Sequence, residues 1–339
     1  MKSFAWALIG PGPIAGRFAQ AVQGMAGCHL ALVQGRDQQR SADFAARWTR
    51  PDKPAVAATD QMAAMLADPA TDAVYIATPH AFHADAVRRC LLAGKPVLCE
   101  KPLVPNASIA RELVGLAQAR QVFLMEALWT RFLPIYAELA VWLAEGRIGE
   151  LRGMQSSFCF NTPFDAGSRI FDPAQAGGAL LDIGVYNLSI TRWVLSQALG
   201  ACPPLQDLHA QALWAPSGVD QRLSVSLDFG AGLNSQFICG LDLQADNGFH
   251  IFGERGCISV PGNFWEATEA VLRCHGQPGL RLQRPLLING FEGEIEEAMR
   301  CIRAGAIESA VMPHAETLAT LDWMDQIRAS IGLRYPFEG

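Results

Sequence analysis

No stretch of this 339-residue sequence reaches the roughly 18 consecutive apolar residues of a membrane helix, so a spanning helix is not expected. Positive charge is not in excess either: 27 Lys and Arg stand against 33 Asp and Glu, for a net charge of −6. That balance excludes a general electrostatic attraction to nucleic acid or to anionic lipid, and any phosphate binding has to be local. The nine cysteines are scattered, odd in number and without a C-x-x-C pair, which argues against a zinc frame or a redox pair. They read as buried thiols in a reducing compartment, hence a cytoplasmic location. Internal repeats and low-complexity tracts are absent. The opening MKSFAWALIG has the single Lys and apolar run of a secretory leader. Gly10 and Gly12 interrupt that run too early, and it reads as a first strand.

Half of the residues are hydrophobic and 18% are charged, the balance of a folded chain. The length suits two domains of about 100–200 residues each. Over residues 1–126, short apolar runs alternate with helical patterns, which implies βαβ units and a parallel sheet. The strands are expected at Phe4–Ile9, His29–Gln34, Ala73–Ala77, Pro96–Cys99 and Val122–Met125, and a helix capped by Asn106 is expected over 106–120. From 127 to 339 the pattern changes. A helix near 135–145 leads into alternating segments at 154–160, 222–229, 233–241 and 249–260, interrupted by a helix over 179–195. Short connections between such segments predict a large, mostly antiparallel sheet with one open face. The expected fold is therefore α/β, a Rossmann dinucleotide-binding domain followed by a second α/β domain. A last helix over 313–331 ends at Gly332 and is a candidate to pack back on the first domain.

Gly10-Pro11-Gly12-Pro13-Ile14-Ala15 follows the first strand and opens a helix, the context a G-x-G-x-x-(G/A) fingerprint requires. Gly10 permits the tight turn, Gly12 lets a pyrophosphate approach the backbone, and Ala15 allows close helix packing. At the end of the second strand, Arg36 and Arg40 can clamp the 2′-phosphate of NADP. Asp37 keeps NAD open as the alternative, and Asp37 or Asp43 could instead pair with two solvated arginines. Glu100-Lys101-Pro102 follows a strand at the ligand-binding edge of the sheet, where a lysine can polarise a substrate oxygen or simply be solvated. His80 and His83 are three apart, but no third ligand stands at a recognised spacing, so no metal is expected.

With GPGPIA, ATPHAFH (77–83), AGKPVLCEKPL (93–103) and GGALLDIGVYNL (177–188) in this order and spacing, the chain resembles the Gfo/Idh/MocA oxidoreductase family over essentially its whole length. FLMEALWTRFLP (123–134), SRIFDP (168–173) and RYPFE (334–338) are similar to the branch of dimeric dihydrodiol dehydrogenases, also described as NADP-dependent D-xylose dehydrogenases.

The resemblance implies hydride exchange between a nicotinamide and a hydroxyl-bearing carbon of a sugar, polyol or trans-dihydrodiol. Lys101 and Tyr186 would be catalytic, with Tyr186 the acid/base and Asp182 orienting the site. Arg36 would meet the 2′-phosphate, Pro79, His80 and His83 would form the loop beside the nicotinamide, and Thr78, Glu100 and Lys101 would also contact the cofactor. His80 stands where many relatives have Asn, and Ala176 replaces the first Gly of a frequent GGG, a change expected to be tolerated. A tyrosine, with an ordinary pKa near 10, is a poor base at neutral pH unless a cation such as Lys101 stabilises the phenolate. Trp129, Phe158, Phe160, Phe164, Phe171 and Trp265 are candidates to line an apolar substrate pocket, although aromatics of this kind are usually core. Arg131 and Arg169 would bind substrate hydroxyls or support a domain interface. A homodimer through the open sheet face is implied by the resemblance as well. Two rival readings are a reductase of anhydro sugars or other aldose-type substrates, and an NADP-binding regulator or sensor without turnover.

Overall fold

The computed structural model describes residues 3–338. The chain divides into two compact units: Met1–Trp129 with Leu287–Leu318, and Thr130–Leu286 with Ala319–Gly339.

The first unit is a parallel sheet built from β1 (Phe4–Ile9), β2 (Cys28–Gln34), β3 (Ala57–Thr59), β4 (Ala73–Ile76), β5 (Val97–Glu100) and β6 (Leu124–Ala127). The spatial order is β3-β2-β1-β4-β5-β6 with every neighbouring pair parallel. Helices α1 (Pro13–Gly24), α2 (Gln38–Trp48), α3 (Met62–Ala67), α4 (His83–Leu92) and α5 (Ala107–Arg120) make the crossovers. All six residues of β1 are buried, the consequence of a sheet covered on both faces. Strand order reverses at β1, so a crevice opens where β1 and β4 end, the usual ligand position in such sheets.

The second unit holds α6 (Pro134–Ala144), β7 (Leu151–Cys159), α7 (Val185–Leu199), β8 (Asp207–Trp214), β9 (Asp220–Asp228), β10 (Asn234–Gly240), β11 (Phe249–Gly253), β12 (Gly256–Val260), β13 (Glu269–Cys274) and β14 (Leu280–Gln283). The eight strands form one sheet in the order β14-β13-β12-β11-β7-β10-β9-β8. Only β7 and β10 run parallel; the other six pairings are antiparallel. Helix α7 is buried from Val185 through Leu195 and packs on β7 and β10. The opposite face carries Gln155, Gln211, Ser224, Ser226, Gln236 and His250. The expected α/β architecture, with its open-faced, mostly antiparallel sheet, is what the structure has. The predicted strand 249–260 is a hairpin, β11 and β12, in which Phe252 faces Cys257.

The division differs from the expected boundary after 126 at one place: Leu287–Leu318 belongs to the first unit, the start of the helix named as a candidate to pack back on it included. That segment brings α8 (Glu292–Arg303) and the start of α9 (His314–Ile331). Its physical task is to bury the Ile295, Ala298 and Met299 stripe of α8 and to cover the edge of β6. Leu124 donates its N–H to the Ile307 carbonyl at 2.9–3.0 Å separation typical of a ladder bond, here 3.0 Å. Its own carbonyl is met by His314 Nε2 at 2.9 Å. An edge strand is thereby closed to foreign pairing.

Candidate active site

In the first unit the chain leaves β1 at Gly10, whose φ of +89° lies in the left-handed region. A Cβ there would come within 2.9 Å of Ala77 C and O and of Thr78 N. Glycine is therefore required both by the turn and by the end of β4. Gly12 caps α1 with extended backbone and no side-chain bond, and a Cβ added to it would meet only the Gly10 carbonyl, at 4.0 Å. Pro13 takes the first helical position, exposed Ile14 follows, and Ala15 is fully buried. The first N–H groups of a helix have no partner within it, which suits a phosphate at this start. Pro11 packs beside Gly35, where a Cβ would lie 3.0 Å from its Cδ. Thr78 Oγ1 is buried with no hydrogen-bond partner. An orphaned hydroxyl beside an open glycine cradle fits a dinucleotide.

Past β2, Arg36 and Arg40 are exposed. The Arg36 guanidinium lies 6.0 Å from the Phe82 ring centroid. Asp37 Oδ1 accepts the Arg40 N–H at 2.8 Å and caps α2, while Asp43 accepts from Gln39 Nε2 at 2.8 Å. Among the described residues neither guanidinium is ion-paired, so the pairing with Asp37 or Asp43 considered from the sequence does not form.

The Lys101 loop is held from below. Glu100 is buried, accepts the Tyr75 hydroxyl, and receives the Lys101 N–H at 3.3 Å. Lys101 itself is half-buried, and its bond to Pro102 is cis. The Leu103 N–H donates to Glu126 Oε1 at 2.9 Å, and Thr317 Oγ1 donates to Glu126 Oε2 at 2.8 Å. Glu126 is a supporting residue that the motif reading passed over, although it lies inside the FLMEALW stretch. Glu294 on α8 was passed over as well. It is fully buried with no partner on either oxygen, and burial, reinforced by Glu100, pushes its carboxyl well above the usual range.

His83, expected in the loop beside the nicotinamide, is fully buried. Its Nε2 sits 2.7 Å from the Thr78 carbonyl, and its Nδ1 3.0 and 3.2 Å from the Pro102 and Leu103 carbonyls. The imidazole is a brace between Thr78 and the Lys101 loop. Burial pushes its pKa down, against the pull of those carbonyls. Pro79 is the extended residue that precedes the turn at buried His80, whose ring centroid is 5.8 Å from that of His83. Trp129, a candidate to line the substrate pocket, is 2% exposed, 5.0 Å from the Phe291 ring and under the Arg17 guanidinium at 4.6 Å, and so packs in a cluster.

In the second unit, Gly177 and Gly178 thread a narrow passage. A Cβ on Gly177 would lie 2.7 Å from the Arg169 and Ile170 carbonyl oxygens. One π turn over Leu180–Gly184 then runs into α7, an irregularity frequent at functional sites. Four residues apart on this rod, Asp182 and Tyr186 share a face. Both terminal nitrogens of Arg169 donate to Asp182 Oδ1 at 3.2 Å. The Tyr186 ring packs 5.4 Å from Phe158, which stacks on Trp265 at 3.5 Å. Phe160, just beyond β7, is half-buried, and its N–H donates to the Gly240 carbonyl at 3.0 Å. Arg131, expected on substrate or at an interface, is buried, with Nε and Nη2 each 2.9 Å from Ser189 oxygens, and so supports α7. Among the described residues no group of three or more His, Cys, Asp or Glu is arranged to hold a metal.

Ala176, where the sequence departs from GGG, has φ +57° and is buried. A left-handed non-glycine residue costs about 1–2 kcal/mol, part of which glycine returns as freedom of the unfolded chain. Ala176→Gly is thus expected to stabilise by up to about 1 kcal/mol, read as a higher denaturant midpoint. A lower midpoint would contradict this.

Residues 4–128 match the model of the oxidoreductase family with NAD-binding Rossmann fold, and residues 136–259 match the GFO/IDH/MocA C-terminal domain. The chain is 32% identical over 338 residues to a human trans-1,2-dihydrobenzene-1,2-diol dehydrogenase, covering 98% of each. The chain belongs to the Gfo/Idh/MocA oxidoreductase family. A second member, the mouse trans-1,2-dihydrobenzene-1,2-diol dehydrogenase, is 33% identical with the same coverage. The family fold is seen again in a 3-ketoreductase from Actinomadura kijaniata in complex with NADP and TDP-benzene, with TM-score 0.84, 24% identity and 97% and 98% of the two chains covered. An aldose-aldose oxidoreductase from Caulobacter crescentus, at 20% identity, has TM-score 0.84 with 97% of both chains covered. As a member of the family the chain is an enzyme, an oxidoreductase that uses a nicotinamide dinucleotide. Among the described residues no helix is long and apolar enough to cross a membrane.

Proposed function

We propose that the enzyme is an NADP-dependent dehydrogenase acting on a hydroxyl-bearing carbon of a trans-dihydrodiol, sugar or polyol. The observation that carries this reading is Tyr186, one helical turn past an Asp182 held by Arg169, with its ring against the Phe158–Trp265 stack. A phenol beside an oriented carboxylate can exchange a proton with a substrate hydroxyl, and an aromatic wall suits the apolar face of a ring. Gly10, Pro11, Gly12, Pro13, Ile14, Ala15, Thr78, Pro79 and His80 would hold the dinucleotide, and Arg36 with Arg40 its 2′-phosphate. When bound, the nicotinamide supplies the hydride acceptor or donor.

The chain's own residues divide the remaining work. Tyr186 takes the hydroxyl proton during oxidation and returns it during reduction. In this proposal the Lys101 ammonium would favour the phenolate form and polarise the substrate oxygen, and Asp182 would orient the hydroxyl. The preference for the dihydrodiol class rests on the relatives at 32–33% identity. A homodimer through the open sheet face and a cytoplasmic location, in keeping with the free thiols, belong to the same proposal.

The test is a panel of trans-1,2-dihydrobenzene-1,2-diol, pentoses and anhydro sugars, run with NADP and NAD in parallel. Turnover on the diol or on D-xylose with NADP preferred is the expected result. Tight NADPH binding with no turnover across the panel would favour a sensor. The cofactor half has its own control: Arg36→Ala should weaken NADP about 10-fold or more, as expected for loss of a charge-assisted phosphate contact, while leaving NAD use unchanged. Equal loss with both dinucleotides would show that the arginine does not read the 2′-phosphate.

A further inference from the structure

Asp220 opens β9 and is fully buried. Its Oδ2 accepts the N–H of Leu180, the first residue of the π turn, at 2.6 Å, and no donor reaches Oδ1. At Gly178, where φ is +118°, the chain runs so close to this carboxylate that any Cβ would lie 2.0 Å from Oδ1. From another element the Tyr335 hydroxyl donates to the Gly177 carbonyl at 2.7 Å. Residues 177–180 are thus gripped at two points before the chain reaches Asp182 and Tyr186. A carboxylate that accepts the first N–H groups of a helix both caps it and complements its dipole. A π turn, whose hydrogen-bond register differs from that of the α-helix it joins, depends on such outside support.

We propose that Asp220 is a positioning residue for catalysis: by accepting the Leu180 N–H it sets the register of the π turn that presents Asp182 and Tyr186 on one face. This rests on the reading that those two side chains act on the substrate. Asp220 touches no reacting atom and works through the helix.

The groups facing Asp220 come from four elements. They are the Ala179 and Leu180 N–H groups, Arg328 of α9, Cys239 of β10 and Tyr335 near the end of the chain. Burial pushes the Asp220 carboxyl up to about 7, against the opposing pull of the N–H groups and Arg328. An ionised acceptor holds an N–H more strongly than a neutral one. The grip on Leu180 therefore tightens as pH rises through about 7.

Asp220→Asn keeps an acceptor and loses the titration; Asp220→Ala loses both. With NADP and trans-1,2-dihydrobenzene-1,2-diol, Asp220→Ala is expected to lower kcat about 10-fold or more, the order of loss that follows misplacement of catalytic groups. NADPH binding, followed by fluorescence, should be unchanged, because the glycine cradle lies in the other unit. Asp220→Asn should keep more turnover than Asp220→Ala and lose the change in kcat around pH 7. Hydrogen exchange needs no substrate and is the second measurement. Amides of 179–186 should exchange faster in both variants, while the helices of the first unit stay at the parent rate. If neither variant folds, the parent decides: after correction for intrinsic chemistry, protection of 179–186 should rise across pH 7.

The proposal is overturned if Asp220→Ala turns over within about twofold of the parent, if protection of 179–186 is the same in variant and parent, or if parent protection is flat across pH 7. Tyr186→Phe separates this from the underlying reading. Full activity of that variant removes the reading itself, whereas its inactivity together with a fully active Asp220→Ala removes only the role of Asp220.

Discussion

Tyr186→Phe is expected to lower turnover by about 10²–10⁴-fold, the usual contribution of a positioned acid/base. The ring is 6% exposed and packs on Phe158, contacts that phenylalanine keeps. Only the hydroxyl is removed, so the thermal midpoint should stay close to that of the parent. NADPH affinity should stay as well, because the glycine cradle and the arginines belong to the first unit. The loss should fall on kcat rather than on KM, the pattern of an interaction made in the transition state. Near-normal kcat in a folded variant would take Tyr186 out of the mechanism.

Lys101→Met should cost about 10²–10³-fold, comparable to removing one preorganised electrostatic stabiliser. The substitution spares the backbone ties of the loop. Glu100 accepts the Lys101 backbone N–H, and Leu103 remains tied to Glu126. The fold around β5 should therefore survive. The sign of the pH effect is fixed by the role. In the proposed role, loss of the ammonium makes the phenolate harder to form, so the rising limb of the oxidation rate should move to higher pH, and high pH should recover part of the loss. A variant with parental kcat and an unshifted profile would show that the ammonium is merely solvated, the alternative that the sequence alone left open.

Much of the fold was legible because apolar runs and turn residues agreed. Phe4–Ile9 is a continuous apolar run ended by Gly10, and it is β1 to the residue. Strands whose residues alternate without strong hydrophobicity were not legible. β8, Asp207–Trp214, lies at the sheet edge with most side chains half or fully exposed, and β14 is similar. Helix α8 escaped for a different reason. Its inward face includes Glu292 and Glu294, and carboxylates read as solvent-facing. Glu292 is tolerated there because its oxygens accept the N–H groups of Leu287, Ile288, Asn289 and Gly290, donors that only the folded loop assembles.

The candidate site divides in the same way. The glycine turn and the spacing of Asp182 and Tyr186 are local, and local chemistry can be read from a sequence. His83, Trp129 and Arg131 lie in or beside those motifs, but their neighbours Thr78, Phe291 and Ser189 are set by the tertiary fold and could not be read there. Glu126 and Asp220 accept donors distant in sequence, among them the main-chain N–H groups of Leu103 and Leu180, which no local pattern announces.

The return of Leu287–Leu318 to the first unit bears on how the polypeptide can be cut and made. A fragment stopping at Trp129 would leave the outer rim of β6 bare and prone to intermolecular pairing. A nucleotide-binding piece that behaves well in isolation would need the later residues grafted on behind it. During synthesis, the first unit cannot be completed until residues up to Leu318 have emerged.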